Sequence, residues 1–242
     1  MLLKTYLLLF LLLYFFILIF IILFLLYETH DLNPHLRTLE KDGFKVFNND
    51  NKYNVLKHLP YGYVFINYKY TIKGCTLSTF HRDITSSQYV FKTKYPIYTY
   101  ITYLNDGDLL SLCPGSHLTT PFLFNRPVII KGKPSTCILF NSDIIHAGAI
   151  NNFGINRHAI QFKICHIDDL EILKHLHGIN KTTFNSCNSS KDLYVYLLRK
   201  ISLIFPFIFN HLFTKLLQEK PKKDTIFEYL IDKFYIGDFY NK

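Results

Sequence analysis

From Gly43 to Cys165 the chain is a succession of short runs rich in Val, Ile, Tyr, Thr and Phe, broken by Gly, Asn, Asp and Pro. No other feature of the sequence constrains the fold as tightly. Runs of β-branched and aromatic residues at this length form strands, and the breaks between them form turns. The candidate strands are Gly43–Phe47, Tyr63–Tyr70, Tyr98–Leu104, Leu109–Leu112, Thr136–Phe140 and His158–Cys165. Their spacing suits a sandwich or barrel and excludes a repeating βαβ unit. Hydrophobic residues at 49% and aromatics at 17% supply one core and exclude a disordered chain.

The flanks read differently. Thr5 to Tyr27 contains no charged residue. As a helix it would be roughly 34 Å long, against a hydrocarbon core of about 30 Å. It exceeds the apolar segment of a cleavable signal peptide, and no small-residue cleavage pattern follows it. The expectation is an N-terminal transmembrane helix at 1–27, membrane contact through residues 5–27, and a single-pass membrane protein whose side is open. The bases Arg37, Lys41 and Lys45 favour one side, while the sequons at Asn180 and Asn188 matter only on the other. Residues 28–42 read as a polar linker with a helix start near Leu36–Leu39, and 43–180 as the β domain. Asp168–His177 reads as a helix from Leu170, Leu173 and Leu176. Residues 181–242 read as a helical, partly apolar C-terminal region, with Leu193–Leu217 bent at Pro206.

Formal net charge is +9, and the excess sits in residues 43–133. No long basic run and no aromatic-basic recognition motif accompanies it. The charge therefore reads as a solvated face, and nucleic acid is not an expected partner. Cys75, Cys113, Cys137, Cys165 and Cys187 form no CxxC pair, which argues against a zinc ribbon or a thioredoxin-like site.

Three features carry chemistry. The first is His81-Arg82-Asp83, after the β-like stretch Leu77–Phe80. Residues two apart on an extended segment share a face, so His81 and Asp83 can reach one metal while Arg82 turns away. The second is His146, at the end of Ile138–Ile145. Two imidazoles and a carboxylate are the facial triad of non-haem iron(II), which fills one octahedral face and leaves three positions open. The third is Arg157, beyond a turn-rich loop that would return it alongside His146 as a hairpin. A guanidinium pairs bidentately with a carboxylate. Several neighbours take structural readings: Asp143 as a turn former, His158 on the opposite strand face from Arg157, and Tyr98, Tyr100 and Tyr103 as packing residues. Alternation separates Tyr103 from the other two tyrosines without saying which face is inward.

In these residues the sequence resembles the phytanoyl-CoA dioxygenase-like family of Fe(II)/2-oxoglutarate-dependent oxygenases. The stretches LSTFHRD, YITYLNDGDLLSLCPGSH and TCILFNSDIIHAGAINNFGINRHAIQFKI carry the resemblance, with Asn105, Gly107 and Pro114-Gly115-Ser116-His117 among them. It implies an all-β core, a double-stranded β-helix of jelly-roll, cupin-like form with flanking helices. It implies Fe(II) held by His81, Asp83 and His146, and 2-oxoglutarate as a co-substrate held by Arg157. Dioxygen would be the oxidant and ascorbate an optional reductant. His117 would shape the pocket. Related halogenases carry a small residue at the carboxylate position, and the retained Asp83 implies hydroxylation, with an aliphatic carbon as target. The substrate stays open among a small molecule, a lipid and a protein side chain. The alternative is a cupin-like metal-binding module using His81, His117 and His146, or a non-catalytic binding module on the same fold.

Overall fold

The computed structural model describes residues 2–25, 27–48, 52–74, 79–118, 126–150, 157–185, 199–200 and 202–203. Helix α1 (Leu2–Leu25) precedes strands β1 (Thr29–His30) and β2 (Phe44–Asn48). Then follow α2 (Lys52–Val55), β3 (Tyr63–Phe65), β4 (Tyr68–Gly74) and α3 (Gln88–Phe91). The remaining strands are β5 (Tyr98–Tyr103), β6 (Gly107–Leu112), β7 (Val128–Gly132), β8 (Thr136–Asn141), β9 (His146–Gly148), β10 (Arg157–His166) and β11 (Ile179–Asn185). One sheet runs β1-β7-β6-β9, and the other β11-β4-β10-β5-β8-β2 with β3 paired to β10. Pairing is antiparallel except at β1/β7 and β4/β11.

The two sheets face each other across one apolar core, the layered arrangement of a jelly roll. Phe44, Val46, Ile101, Tyr103, Ile138, Phe140 and Ala159 from the large sheet meet Leu110, Leu112 and Ile130 from the small one. Fully burying side chains of this size contributes roughly 1.5–3 kcal/mol each. Alternation decides which residues point inward. On β10, Arg157, Ala159, Gln161 and Lys163 are buried while His158, Ile160 and Phe162 are half-buried. Ala159 lies in the core, so that series is the inner face. The register carries the inner face across to β5, where Tyr103 stands opposite Ala159 and Thr99 opposite Lys163. Tyr98 and Tyr100 point the other way, into a second cluster with Val55, Leu59, Cys137 and Leu139. β8 is buried along its whole length because both faces are covered.

Several expectations are corrected by this architecture. The apolar N-terminal run does form helix, over Leu2–Leu25. Among the described residues no helix is long and apolar enough to cross a membrane, which overturns the expected transmembrane anchor and the membrane localisation drawn from it. Residues 28–42 do not trail as a linker. Thr29–His30 pairs with β7, Pro34–Leu36 forms a 3-10 turn in place of the expected helix start, and Arg37 bridges Asp31 at 2.8 Å and Asp42 at 2.9 Å. Asp168–His177 is not a continuous helix but two 3-10 turns, Ile167–Asp169 and Lys174–Leu176. The buried Asp169 carboxylate accepts from the backbone N–H of Lys94 and Tyr95, fixing this segment to another part of the fold. Residues 179–185 form a strand and not the start of a helical region. Cys75, Cys187, the Asn188 sequon and the bend at Pro206 lie outside the described residues.

Candidate metal centre

His81 and His146 meet because the backbone pairs them. His81 N–H donates to the His146 carbonyl and His146 N–H to the His81 carbonyl, both at 2.9 Å. This antiparallel bridge places the two residues directly opposite. Their rings lie 4.5 Å apart between centroids. Asp83, two residues on from His81, turns to the same side, while its backbone N–H is anchored on the Ser142 carbonyl at 2.9 Å. The three side chains each offer a ligand atom, and these atoms lie within 4.8 Å of one another. Among the described residues this is the cluster of His, Cys, Asp and Glu side chains able to hold a metal ion. His146 differs from expectation in one respect. It opens β9 in the small sheet and does not continue β8, because the turn at residues 142–145 carries the chain from one sheet to the other.

The hydrogen bonds select a tautomer suited to metal binding. His81 Nδ1 lies 2.8 Å from the Thr79 carbonyl oxygen, and His146 Nδ1 2.9 Å from that of Ile144. A carbonyl only accepts, so each Nδ1 carries the proton and each Nε2 presents a lone pair. Burial and the neighbouring His146 pull His81 down to about 4, which keeps it neutral at physiological pH. The Asp83 Oδ1 faces both imidazoles, 3.5 Å from His146 Nε2 and 3.9 Å from His81 Nε2. The donor set, two imidazoles and one carboxylate on one side of a space, fits iron(II).

The other Asp83 oxygen is held by a residue that the motif does not contain. Lys163 Nζ, on a side chain only 1% exposed, donates to Asp83 Oδ2 at 2.5 Å, to Ser86 Oγ at 2.8 Å and to Thr99 Oγ1 at 2.7 Å. All three ammonium protons are used. Thr99 passes its own proton to Asp83 Oδ2 at 2.8 Å. Burial would raise the Asp83 carboxyl, but Lys163 and then the two histidines hold it well below the ordinary carboxylate range. Asp83 therefore divides its labour, with Oδ1 toward the metal position and Oδ2 toward an ammonium and a hydroxyl. A signal for Lys163 was present in the sequence. Counting by twos from Arg157 along an apolar strand reaches a lysine that must be buried with a partner. Thr99 left no comparable signal.

Arg157 reaches the site from the opposite sheet and not through a hairpin with His146. It pairs across β10 with β4, and its guanidinium lies against the end of β9, donating from Nη2 to the Ala149 carbonyl at 2.5 Å. Its Nε is buried with no partner among the described residues, a donor left for a ligand. A Cβ on Gly148 would lie 1.9 Å from Arg157 Nη1, so a glycine there lets the guanidinium in. Gly148 and Ala149 follow His146 by roughly 7–10 Å at 3.3 Å per residue. Tyr103 shares this inner region with Arg157, and burial raises its phenol.

The remaining candidates have structural places. His117 stands apart from the metal-capable cluster, with Nε2 3.2 Å from the Glu40 carbonyl oxygen and its ring against Gly43, whose φ of +82° and close approach suit only glycine. The alternative ligand set with His117 is not brought together. Asp143 accepts from Ser87 Oγ and from the Gln88 N–H, fastening the start of α3 to the turn before His146. His158 faces away from Arg157, and its N–H is held by Asn105 Oδ1 at 2.9 Å. Arg82 turns from the metal position and donates to the Ser116 carbonyl at 2.9 Å. Cys113, Cys137 and Cys165 are buried and form no disulfide among the described residues.

No family model matches the sequence, and no curated protein is similar to it. Among solved structures, the non-haem α-ketoglutarate-dependent epimerase SnoN from nogalamycin biosynthesis is 11% identical, with a TM-score of 0.38 over 53% of this chain and 79% of that one. AviO1 from Streptomyces viridochromogenes Tue57 is 11% identical, with a TM-score of 0.37 over 57% of this chain and 96% of that one. The iron- and α-ketoglutarate-dependent endoperoxidase NvfI is 8% identical, with a TM-score of 0.39 over 55% of this chain and 80% of that one. At such values the likenesses carry no argument, and the chemistry rests on the atoms of the site.

Proposed function

We propose that this chain is an Fe(II)- and 2-oxoglutarate-dependent oxygenase of the phytanoyl-CoA dioxygenase-like kind, hydroxylating an aliphatic carbon. The observation that carries the reading is the convergence of His81 Nε2, His146 Nε2 and Asp83 Oδ1, with both Nδ1 atoms tied to carbonyls. These three atoms would hold iron(II). Arg157 would bind the distal carboxylate of 2-oxoglutarate, with its unpartnered Nε as a donor and Tyr103 beside it. With both groups bound, iron would activate dioxygen, the oxidant that takes substrate C–H to alcohol and 2-oxoglutarate to succinate and carbon dioxide.

The protein's own part is orientation. The backbone bridge sets the two imidazoles, Lys163 and Thr99 keep Asp83 on one oxygen, and the enclosing sheets keep the inner end of the site dry. The β domain serves as the catalytic unit, and the substrate is a small molecule, a lipid or a protein side chain.

The test needs no known substrate. Protein reconstituted with iron(II), ascorbate and 2-oxoglutarate is expected to release succinate slowly without substrate and faster with the right one. His81→Ala and Asp83→Ala should abolish that release. Arg157→Ala should raise the 2-oxoglutarate needed by at least about 30-fold, since stranding a buried charge partner costs roughly 2 kcal/mol or more. Full succinate release by His81→Ala would end the proposal.

A further inference from the structure

Residues 199–200 and 202–203 lie far from the motif in sequence and pack directly behind the metal centre. Arg199 is fully buried. Its Nε and Nη2 grip Glu28 at 2.9 and 2.7 Å, its Nη2 also reaches Ser111 Oγ at 3.0 Å, and its Nη1 donates to the Gly148 carbonyl at 2.8 Å. The guanidinium also covers the Phe80 ring at 4.4 Å. Ser202 Oγ accepts from the Phe80 N–H at 2.8 Å. Leu203 fills a small cluster with Phe80, Cys113, Ile145 and Ala147.

Most of these contacts to the core land beside a candidate ligand. Phe80 precedes His81, Ile145 and Ala147 flank His146, and Gly148 stands two residues beyond it. The His81–His146 bridge is isolated; among the described residues its own pair of hydrogen bonds and the Asp83 N–H to Ser142 carbonyl bond join the two backbones. A short ladder opens more readily than a continuous one, and contacts from behind would hold its spacing. Arg199 and Ser202 make such contacts to the two bridged segments, at the Gly148 carbonyl and the Phe80 N–H, and Glu28 holds Arg199 by a bidentate ion pair.

We propose that Glu28, Arg199, Ser202 and Leu203 form a clamp that positions His81 and His146 for metal binding, with Arg199 and Ser202 as positioning residues. The inference rests on the reading of His81, Asp83 and His146 as metal ligands, and gives a role to a C-terminal segment outside the β domain. Arg199→Lys keeps the charge opposite Glu28 and removes the fork that also reaches Gly148. Ser202→Ala removes the bond to Phe80 and strands no charge.

The experiment titrates cobalt(II) into the metal-free full chain, following its visible ligand-field absorption, and measures the metal-free melting temperature of every variant. Val55→Ala serves as a control, a core truncation on the outer side of the large sheet. The expected result is about tenfold weaker cobalt(II) binding in Arg199→Lys and in Ser202→Ala, with an altered absorption envelope. Val55→Ala, although destabilised, should bind within about twofold of the wild type. Affinities in Arg199→Lys and Ser202→Ala that fall no further than in Val55→Ala would overturn the clamp and leave the metal centre standing. If Arg199→Lys does not fold, Ser202→Ala alone decides. Cobalt(II) binding that is absent in the wild type, or unchanged by His81→Ala, would overturn the metal centre and the clamp with it.

Discussion

Replacing Lys163 by Met tests the electrostatic construction of the site most directly. The side chain keeps nearly its length and loses its charge and three donors. Asp83 Oδ2 then retains only the Thr99 hydroxyl at 2.8 Å. Breaking a buried pair by removing one partner costs roughly 3–5 kcal/mol, because the remaining charge is stranded away from water. A chain of this size shifts its melting temperature by about 2–4 °C per kcal/mol. The metal-free variant should therefore melt roughly 6–20 °C below the wild type at neutral pH. A divalent ion on Oδ1 offers the stranded carboxylate a second cation. Saturating manganese(II) or cobalt(II) should accordingly recover more than half of the loss, so that metal stabilises the variant more than it stabilises the wild type. Thermal melts with chelator and with excess metal measure both differences. An equal fall in melting temperature with and without metal would refute the reasoning, since Lys163 and the ion would then not share Asp83. No fall without metal would refute the buried pair itself.

Two further outcomes follow from the same geometry. Gly148→Ala places a methyl 1.9 Å from Arg157 Nη1, so the guanidinium must leave its seat; 2-oxoglutarate binding should weaken tenfold or more while cobalt(II) binding holds, and calorimetric titration showing unchanged 2-oxoglutarate affinity would contradict it. The metal-free protein should weaken with acid in two steps. His81 titrates at about 4 when folded and near 6.5 when unfolded. The unfolded chain then binds more protons between those values, and stability falls as pH drops from 6.5 to 4, by about 2 kcal/mol once the 28% exposure of its side chain is allowed for. Burial opposes Glu28 ionisation, yet Arg199 holds its carboxyl down to about 2, against an ordinary 4.5. Its contribution is complete above 4.5 and is lost as pH falls through 4.5 toward 2, by about 3 kcal/mol. Denaturant melts at pH 7, 5.5, 4 and 3 measure both steps. Glu28→Gln should shrink only the lower one, to which Asp83 also contributes, and a stability flat between pH 6.5 and 4 would rule out a neutral buried His81.

What the sequence made legible was what a strand encodes within itself. The two-residue step from His81 to Asp83 is a fixed consequence of an extended backbone, and the side of Arg82 follows from it. Five of the six candidate strands run close to observed ones, because turn-forming residues mark their ends; Tyr63–Tyr70 divides into β3 and the start of β4. The flanks were less legible. Leu170, Leu173 and Leu176 carry a helical spacing, yet the Asp169 carboxylate caps two N–H groups elsewhere and breaks the segment into turns. The polar look of residues 28–42 hid that Asp31 and Asp42 are mostly spent on Arg37, leaving Thr29–His30 free to add a strand.

The site itself divides along the same line. Alternation on β10 was readable from Arg157 to Lys163, but its meaning depended on which face is inward. That is decided by the facing sheet, through Leu110, Leu112 and Ile130. The convergence of His81 with His146 depends on one isolated bridge, and no local propensity specifies a contact of that sequence separation. The charge of Asp83 depends on a lysine eighty residues away in sequence. The motif brings out His81, Asp83 and His146 because a metal would impose the identity of its ligands. The groups behind them are constrained only by the requirement that a buried carboxylate have a partner and a buried guanidinium have an acid. That requirement is physical, and many residue types at many positions can meet it. Lys163 and the Glu28–Arg199 pair are the solutions this chain uses, which is why the motif alone did not reveal them.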